Sequence, residues 1–135
     1  MNEIEFPVEF VLEGVPVSLQ AKARSKAKWI AKVRYAAQLV VPDCFATTDK
    51  VALTIYYFPA AKSAVDVDNI IKPIMDGLRG PVYCDDKQVD RVVCQKFDQG
   101  SILDFTDPSP ALIRAATGDR PVTFVRIHTN LKALE

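Results

Sequence analysis

The chain has 135 residues, 49% hydrophobic and 25% charged, and its 17 basic and 17 acidic side chains cancel to a formal net charge of zero. That length suits one domain over residues 1–135, and no repeat or low-complexity tract divides it. No apolar run approaches the roughly 20 residues that span a bilayer, so no membrane partner is expected. The acidic opening MNEIEF lacks the apolar stretch of a signal peptide, and Cys44, Cys84 and Cys94 are far apart with no metal-type spacing. A cytoplasmic protein with reduced thiols is the expectation.

Ile4 to Leu12 alternates apolar and polar residues, which predicts a strand with one wet face, and Pro7 places it at a sheet edge. Gly14 to Gln20 is a connection. From Ser25, a candidate N-cap, to Val40 the apolar residues Trp29, Ile30, Val33, Ala36, Ala37 and Val40 recur at helical spacing, with Pro42 after the end. Val51 to Phe58 is β-branched and aromatic, a second strand covered on both faces, with Tyr56, Tyr57 and Phe58 read as core. A loop from Pro59 to Val65 leads to a helix after Asp68 whose buried side is Ile70, Ile71, Ile74, Met75 and Leu78. Pro73 fits only the first turn of a helix and should limit how early this one begins. A turn at Gly80-Pro81 follows, then a strand from Val89 to Phe97, a short third helix from Pro108 to Ala116 ended by Gly118, and a fourth strand from Val122 to Thr129. The pattern predicts an α+β (α/β mixed) fold with a single four-stranded mixed sheet, two main helices and the short third one.

The chemistry concentrates in DVDNIIKPIMDGLRGPVYCDDKQV, residues 66–89. Asp66 and Asp68 leave extended chain on the same face, and Asp86, with Asp85 beside it, returns from the far side of the turn. Converging carboxylates repel unless a cation lies between them, and hard oxygen donors of this kind suit Mg²⁺, with Mn²⁺ as a substitute. Such a site can activate water and neutralise a phosphodiester, so metal-dependent phosphoryl transfer is the leading reading. Lys72 lies one helical turn after Asp68 and would contact the scissile phosphate or stabilise developing negative charge. Asp76 continues that face and would hold Lys72 in place. Asn69 and Gln88 would orient carboxylates or the attacking water. Each piece alone has a plainer reading: Asp68 as a helix cap, Lys72 and Asp76 as a surface ion pair, Asp85-Asp86 as a turn.

The compound pattern D-x-D-N-x-x-K-x-x-x-D-x-L followed by D-D-x-Q-V, carried here by Asp66, Asp68, Asn69, Lys72, Asp76, Leu78, Asp85, Asp86, Gln88 and Val89, resembles the RusA family of Holliday-junction resolvases. Pro16 to Gln20 and the basic helix after it resemble the family's N-terminal region more loosely. The resemblance implies a homodimeric, Mg²⁺-dependent endodeoxyribonuclease that cuts four-way DNA junctions with paired nicks. By motif position it makes Asp66, Asp68 and Asp86 metal ligands and Lys72 the catalytic lysine, and it matches Asp76 and Asp85 to family positions. The neutral overall charge and the acidic N-terminal strand depart from strongly basic members.

That neutrality is an average over segregated charge. Residues 14–42 carry Lys22, Arg24, Lys26, Lys28, Lys32 and Arg34 and not one acid. With the five motif aspartates balanced by metal, 17 bases would face 12 acids, so zero net charge does not exclude DNA. Arg24, Lys28 and Lys32 share one helix face, where a polyanion would relieve their repulsion. Lys22, Lys26 and Lys62 are further candidate phosphate contacts. Trp29 is read as core, and Tyr83 stands between packing and contact. His128 is the sole histidine, and no glycine loop of phosphate-cradling type is present, so a nucleotide cofactor is not expected. Two other readings stand beside the resolvase: a binding module that grips branched DNA without cutting it, and a metal-dependent phosphohydrolase acting on flaps or nucleotides.

Overall fold

The computed structural model describes residues 1–17, 21–61 and 65–129. Its elements run β1 (Val8–Glu13), α1 (Ala23–Val40), β2 (Val51–Phe58), α2 (Val67–Leu78), a 3₁₀ turn (Asp86–Gln88), β3 (Val89–Lys96), α3 (Pro110–Thr117) and β4 (Val122–His128). The four strands form one sheet in the order β1-β4-β2-β3, with β2 and β3 parallel and the other neighbours antiparallel. This is the α+β arrangement around a single mixed sheet that the sequence predicts. No described helix is long and apolar enough to cross a membrane.

β2, like β4, has neighbours on both sides, and its run VALTIYYF is buried at every position but Tyr56. The edge position of β1 also matches the reading of Pro7, but the strand starts at Val8 rather than Ile4. Proline has no N–H for the ladder, so the pairing begins just past it. Ile4 and Phe6 keep the inward alternation and lie against the core without pairing. α1 begins at Ala23, two residues before the expected Ser25 cap; Lys22 stands at the N-cap position and its side chain makes no capping hydrogen bond. In α3 the signals hold better: the Ser109 hydroxyl accepts from the Leu112 N–H at 3.2 Å, Pro110 opens the helix and Gly118 closes it.

α1 and α2 cover one face of the sheet. Trp29, Val33 and Ala37 from α1 and Ile70, Ile74 and Leu78 from α2 are buried there against Phe10, Leu53, Ile55 and Ile127. The two helices approach closely at Gly77, where a Cβ atom would stand 2.6 Å from Val33 Cβ. Arg34 Nη2 adds a hydrogen bond of 2.6 Å to the Asp76 carbonyl. α3 covers part of the opposite face, over a second cluster of Phe58, Leu112, Ala115 and Phe124, with Tyr56, Phe97 and Phe105 at its margin. Trp29, Tyr57 and Phe58 are thus core, as read from the sequence.

Parallel neighbours need a crossover connection, and α2 supplies it between β2 and β3. The start of α2, which bears Asp66 and Asp68, and the turn ahead of β3, which bears Asp86, therefore belong to one β-α-β unit.

Candidate active site

α2 presents two chemically distinct faces. Ile70, Ile74 and Leu78 are buried, while Asp68, Lys72 and Asp76, one turn apart, form a polar stripe. Asp66 is the N-cap in extended conformation; its carbonyl accepts the Asn69 N–H at 3.1 Å, but its carboxylate caps nothing. Asp68 sits in the first turn, where a negative charge complements the helix dipole. The helix starts earlier than Pro73 was expected to allow, so Pro73 lies in its interior, buried. Its missing N–H removes the hydrogen bond that the Asn69 carbonyl would otherwise accept, and burial of the ring beside Ile74 offsets that loss.

Past α2 the chain reverses tightly. The Arg79 N–H donates to the Met75 carbonyl at 3.0 Å, Val82 N–H to Leu78 at 3.0 Å, and Gly80 N–H to Tyr83 at 2.7 Å. Gly80 has φ +109°, a backbone state that costs glycine little and other residues much. Tyr83 is packing rather than contact: its ring is fully buried and its hydroxyl donates to the Met75 carbonyl at 2.9 Å. Burial and the nearby Asp86 charge push its pKa well above the ordinary tyrosine range.

The turn delivers Asp86 to the polar stripe of α2. Lys72 Nζ lies 2.5 Å from Asp86 Oδ2 and 2.9 Å from Asp76 Oδ1. Arg79 Nη1 lies 3.2 Å from the same Asp86 oxygen and 3.5 Å from the same Asp76 oxygen. The hydrogen bond to Asp86, then that to Asp76, raises the Lys72 pKa above the ordinary lysine value, so its ammonium is charged at any working pH. Arg79 carries no motif signal; only its place one residue past the end of α2 could have marked it.

Not every expected member joins this cluster. Asp66 and Asp68 are exposed at the start of α2, with Asp68 a full turn beyond Lys72. Asp85 is also exposed and is spent on local structure, accepting from the Lys87 N–H at 2.9 Å as the cap of the 3₁₀ turn. Gln88 corrects its expected role. Its Oε1 accepts the N–H groups of Cys84 and Asp85, at 2.8 and 2.9 Å, and its Nε2 donates to the carbonyls of Thr47 and Asp49, at 2.8 and 2.9 Å. The amide has no capacity left for a carboxylate or a water; it pins the Asp86 turn to the segment ahead of β2. Lys96 Nζ does similar work at the other end, donating to the Val65 carbonyl beside Asp66 at 2.8 Å.

Do these residues fit a divalent cation? Among the described residues no three acidic, histidine or cysteine side chains stand together as a ready-made cage. One atom nevertheless points to a cation: Asp86 Oδ1 is buried and has no hydrogen-bond partner among the described residues. Leaving a buried charged acceptor unpaired costs upwards of about 1–3 kcal/mol, and a hard cation would satisfy it. Asp66, Asp68, Asp76 and Asp86 outweigh Lys72 and Arg79 by two negative charges, the charge one divalent ion supplies. The donor set fits Mg²⁺ or Mn²⁺.

The family model described as "Endodeoxyribonuclease RusA" matches residues 16–102, well over half of the chain. The chain belongs to the RusA family. The match spans α1, β2, α2, the Asp86 turn and β3, so the whole polar cluster lies within it. RusA membership makes this a nuclease of the Holliday-junction-resolving kind. Comparison with curated proteins gives no match.

The bases expected to meet DNA are distributed unevenly in this RusA chain. Lys22, Arg24 and Lys28 are exposed at the start of α1, and Lys26 is half-buried. Lys32 is committed to the fold: its Nζ donates to the Glu13 carbonyl at the end of β1 and lies 5.6 Å from the centre of the Trp29 ring. Lys62 lies outside the described residues.

Proposed function

We propose that the chain is a divalent-metal-dependent endodeoxyribonuclease that resolves four-way DNA junctions by paired nicks, using Mg²⁺ or, in its place, Mn²⁺, and acting as a homodimer. The observation that carries this reading is the contact between Lys72 and Asp86, which unites in one ion-paired cluster the two halves of a motif that lie 14 residues apart. Asp86, through its unsatisfied Oδ1, and the exposed Asp66 and Asp68 are the residues that would hold the cation. A divalent ion bound there supplies a water of lowered pKa and neutralises phosphate charge.

The chain's own groups do the rest. Lys72 keeps its proton and so acts as a fixed cation facing the negative charge that develops as the phosphodiester is attacked. Asp76 holds that ammonium in place. Arg24 and Lys28 contribute phosphate contacts that position the backbone without reading sequence. A junction presents two symmetric strands to cut, and a two-fold dimer presents two such centres.

The test is cleavage of a four-way junction in Mg²⁺ or in EDTA by wild type, Asp68→Asn and Asp86→Asn. Cleavage should require the metal and fall by on the order of 10²-fold or more in each variant. Unchanged cleavage in both variants would refute the assigned site. Tight junction binding without cutting over a range of Mg²⁺ and Mn²⁺ would instead fit a non-cleaving module, and preference for flaps or nucleotides a phosphohydrolase.

A further inference from the structure

Arg79 lies outside the family motif yet makes two of the four ion pairs of the centre. Its Nη1 and the Lys72 ammonium address the same pair of atoms, Asp86 Oδ2 and Asp76 Oδ1. One oxygen of Asp86 is thus served by two cations, while Oδ1, buried, is served by none among the described residues. Two donors on one oxygen fix the direction of the carboxylate plane far better than one flexible lysine. A guanidinium suits this work because its donors are planar and it does not lose its proton. The base of its side chain is anchored as well, since the Arg79 N–H closes α2 on the Met75 carbonyl.

We propose that Arg79 is a positioning residue of the nuclease centre, holding Asp86 by Oδ2 together with Lys72 so that Oδ1 is presented as a ligand atom for the divalent cation. The inference rests on the metal-dependent reading above. It also has a sign that separates it from plain charge repulsion. A nearby positive charge should weaken cation binding, so removing a guanidinium that merely repels would strengthen it. Removing one that orients a ligand carboxylate weakens it, by about 10–100-fold for such supporting partners.

The experiment is Mn²⁺ binding to the DNA-free protein, followed by the loss of the free-ion electron paramagnetic resonance signal, in wild type, Arg79→Ala and Arg79→Lys. Thermal unfolding of each variant checks that the fold is kept. Arg79→Ala should bind Mn²⁺ at least about 10-fold more weakly, and Arg79→Lys, which restores the positive charge on a more flexible stem, should fall between it and wild type. Unchanged or tighter binding in Arg79→Ala, or weaker binding in Arg79→Lys than in Arg79→Ala, would overturn the role of Arg79 and leave the metal reading standing. Failure of wild type to bind Mn²⁺ at all would overturn both.

Discussion

Lys72 shows how much one side chain can be asked to do. Its hydrogen bonds to Asp86 and Asp76 raise its pKa above the ordinary lysine value. The contribution of these pairs to stability is therefore complete below the unfolded pKa of about 10.4 and is lost as the pH climbs through the higher folded value. With the side chain 42% exposed, that contribution falls in the range of about 0.2–1 kcal/mol of solvent-screened pairs. A pH series of melting temperatures should show Lys72→Met below wild type by a constant small margin near neutrality, with the gap closing above about pH 10.5. Cleavage by Lys72→Met should fall roughly 10²–10³-fold, the loss typical of one donor aimed at developing charge. Lys72, Asp76 and Asp86 were legible because their spacing is chemical: a turn of helix between the first two, a chain reversal before the third. Arg79 was not, because its partners are set by a reversal whose geometry depends on Gly80 and Tyr83. Gln88 was legible as a member but its role was not, since an amide's four hydrogen bonds can be counted only once its neighbours Thr47 and Asp49 are known.

Among the elements, α2 is the most constrained. Its inner side must reach α1 at Gly77 while its outer side holds the acidic stripe. A methyl group at Gly77 would lie 2.6 Å from both Cβ and Cγ1 of Val33 and 3.0 Å from the Ile30 carbonyl. Alanine normally favours a helix over glycine by about 1 kcal/mol, but overpacking of this kind costs about 1–3 kcal/mol. Gly77→Ala should thus be destabilising by up to about 2 kcal/mol in chemical denaturation. It should also depress cleavage, because α2 cannot move off α1 without carrying Lys72 and Asp76 away from Asp86. Helix and strand types came from periodicity and, for β2, from its β-branched and aromatic residues, but their ends did not. Pro73 does not delay the start of α2: the burial of its ring and of Ile70 and Ile74 outweighs one lost backbone hydrogen bond. Ser25 was likewise a good cap in an unused position, overridden by residues 23–24 continuing the helix.

For the molecule as a whole, zero net charge conceals a divided surface. Arg24 and Lys28 are exposed and form no ion pair among the described residues, whereas Lys32 is bound to Glu13. The dependence of junction affinity on salt, measured without a cleaving metal, should therefore lose a slope of about 0.9 in Lys28→Ala if that lysine meets one duplex phosphate. Lys32→Ala should show up more in stability than in the slope. The charge division was legible in the sequence; which bases are free to meet a polyanion was not, since that depends on where β1 ends. Strand order was equally hidden, and it has a consequence for timing. β4, the last in chain order of the described strands, inserts between β1 and β2. Until it arrives, β2 has one bare edge and β1 has no partner at all, so the β-α-β unit that bears the cluster waits half-walled. A chain emerging from the ribosome would hold every residue of its cutting centre well before it could hold them still, and the centre would become firm only once β4 is in place.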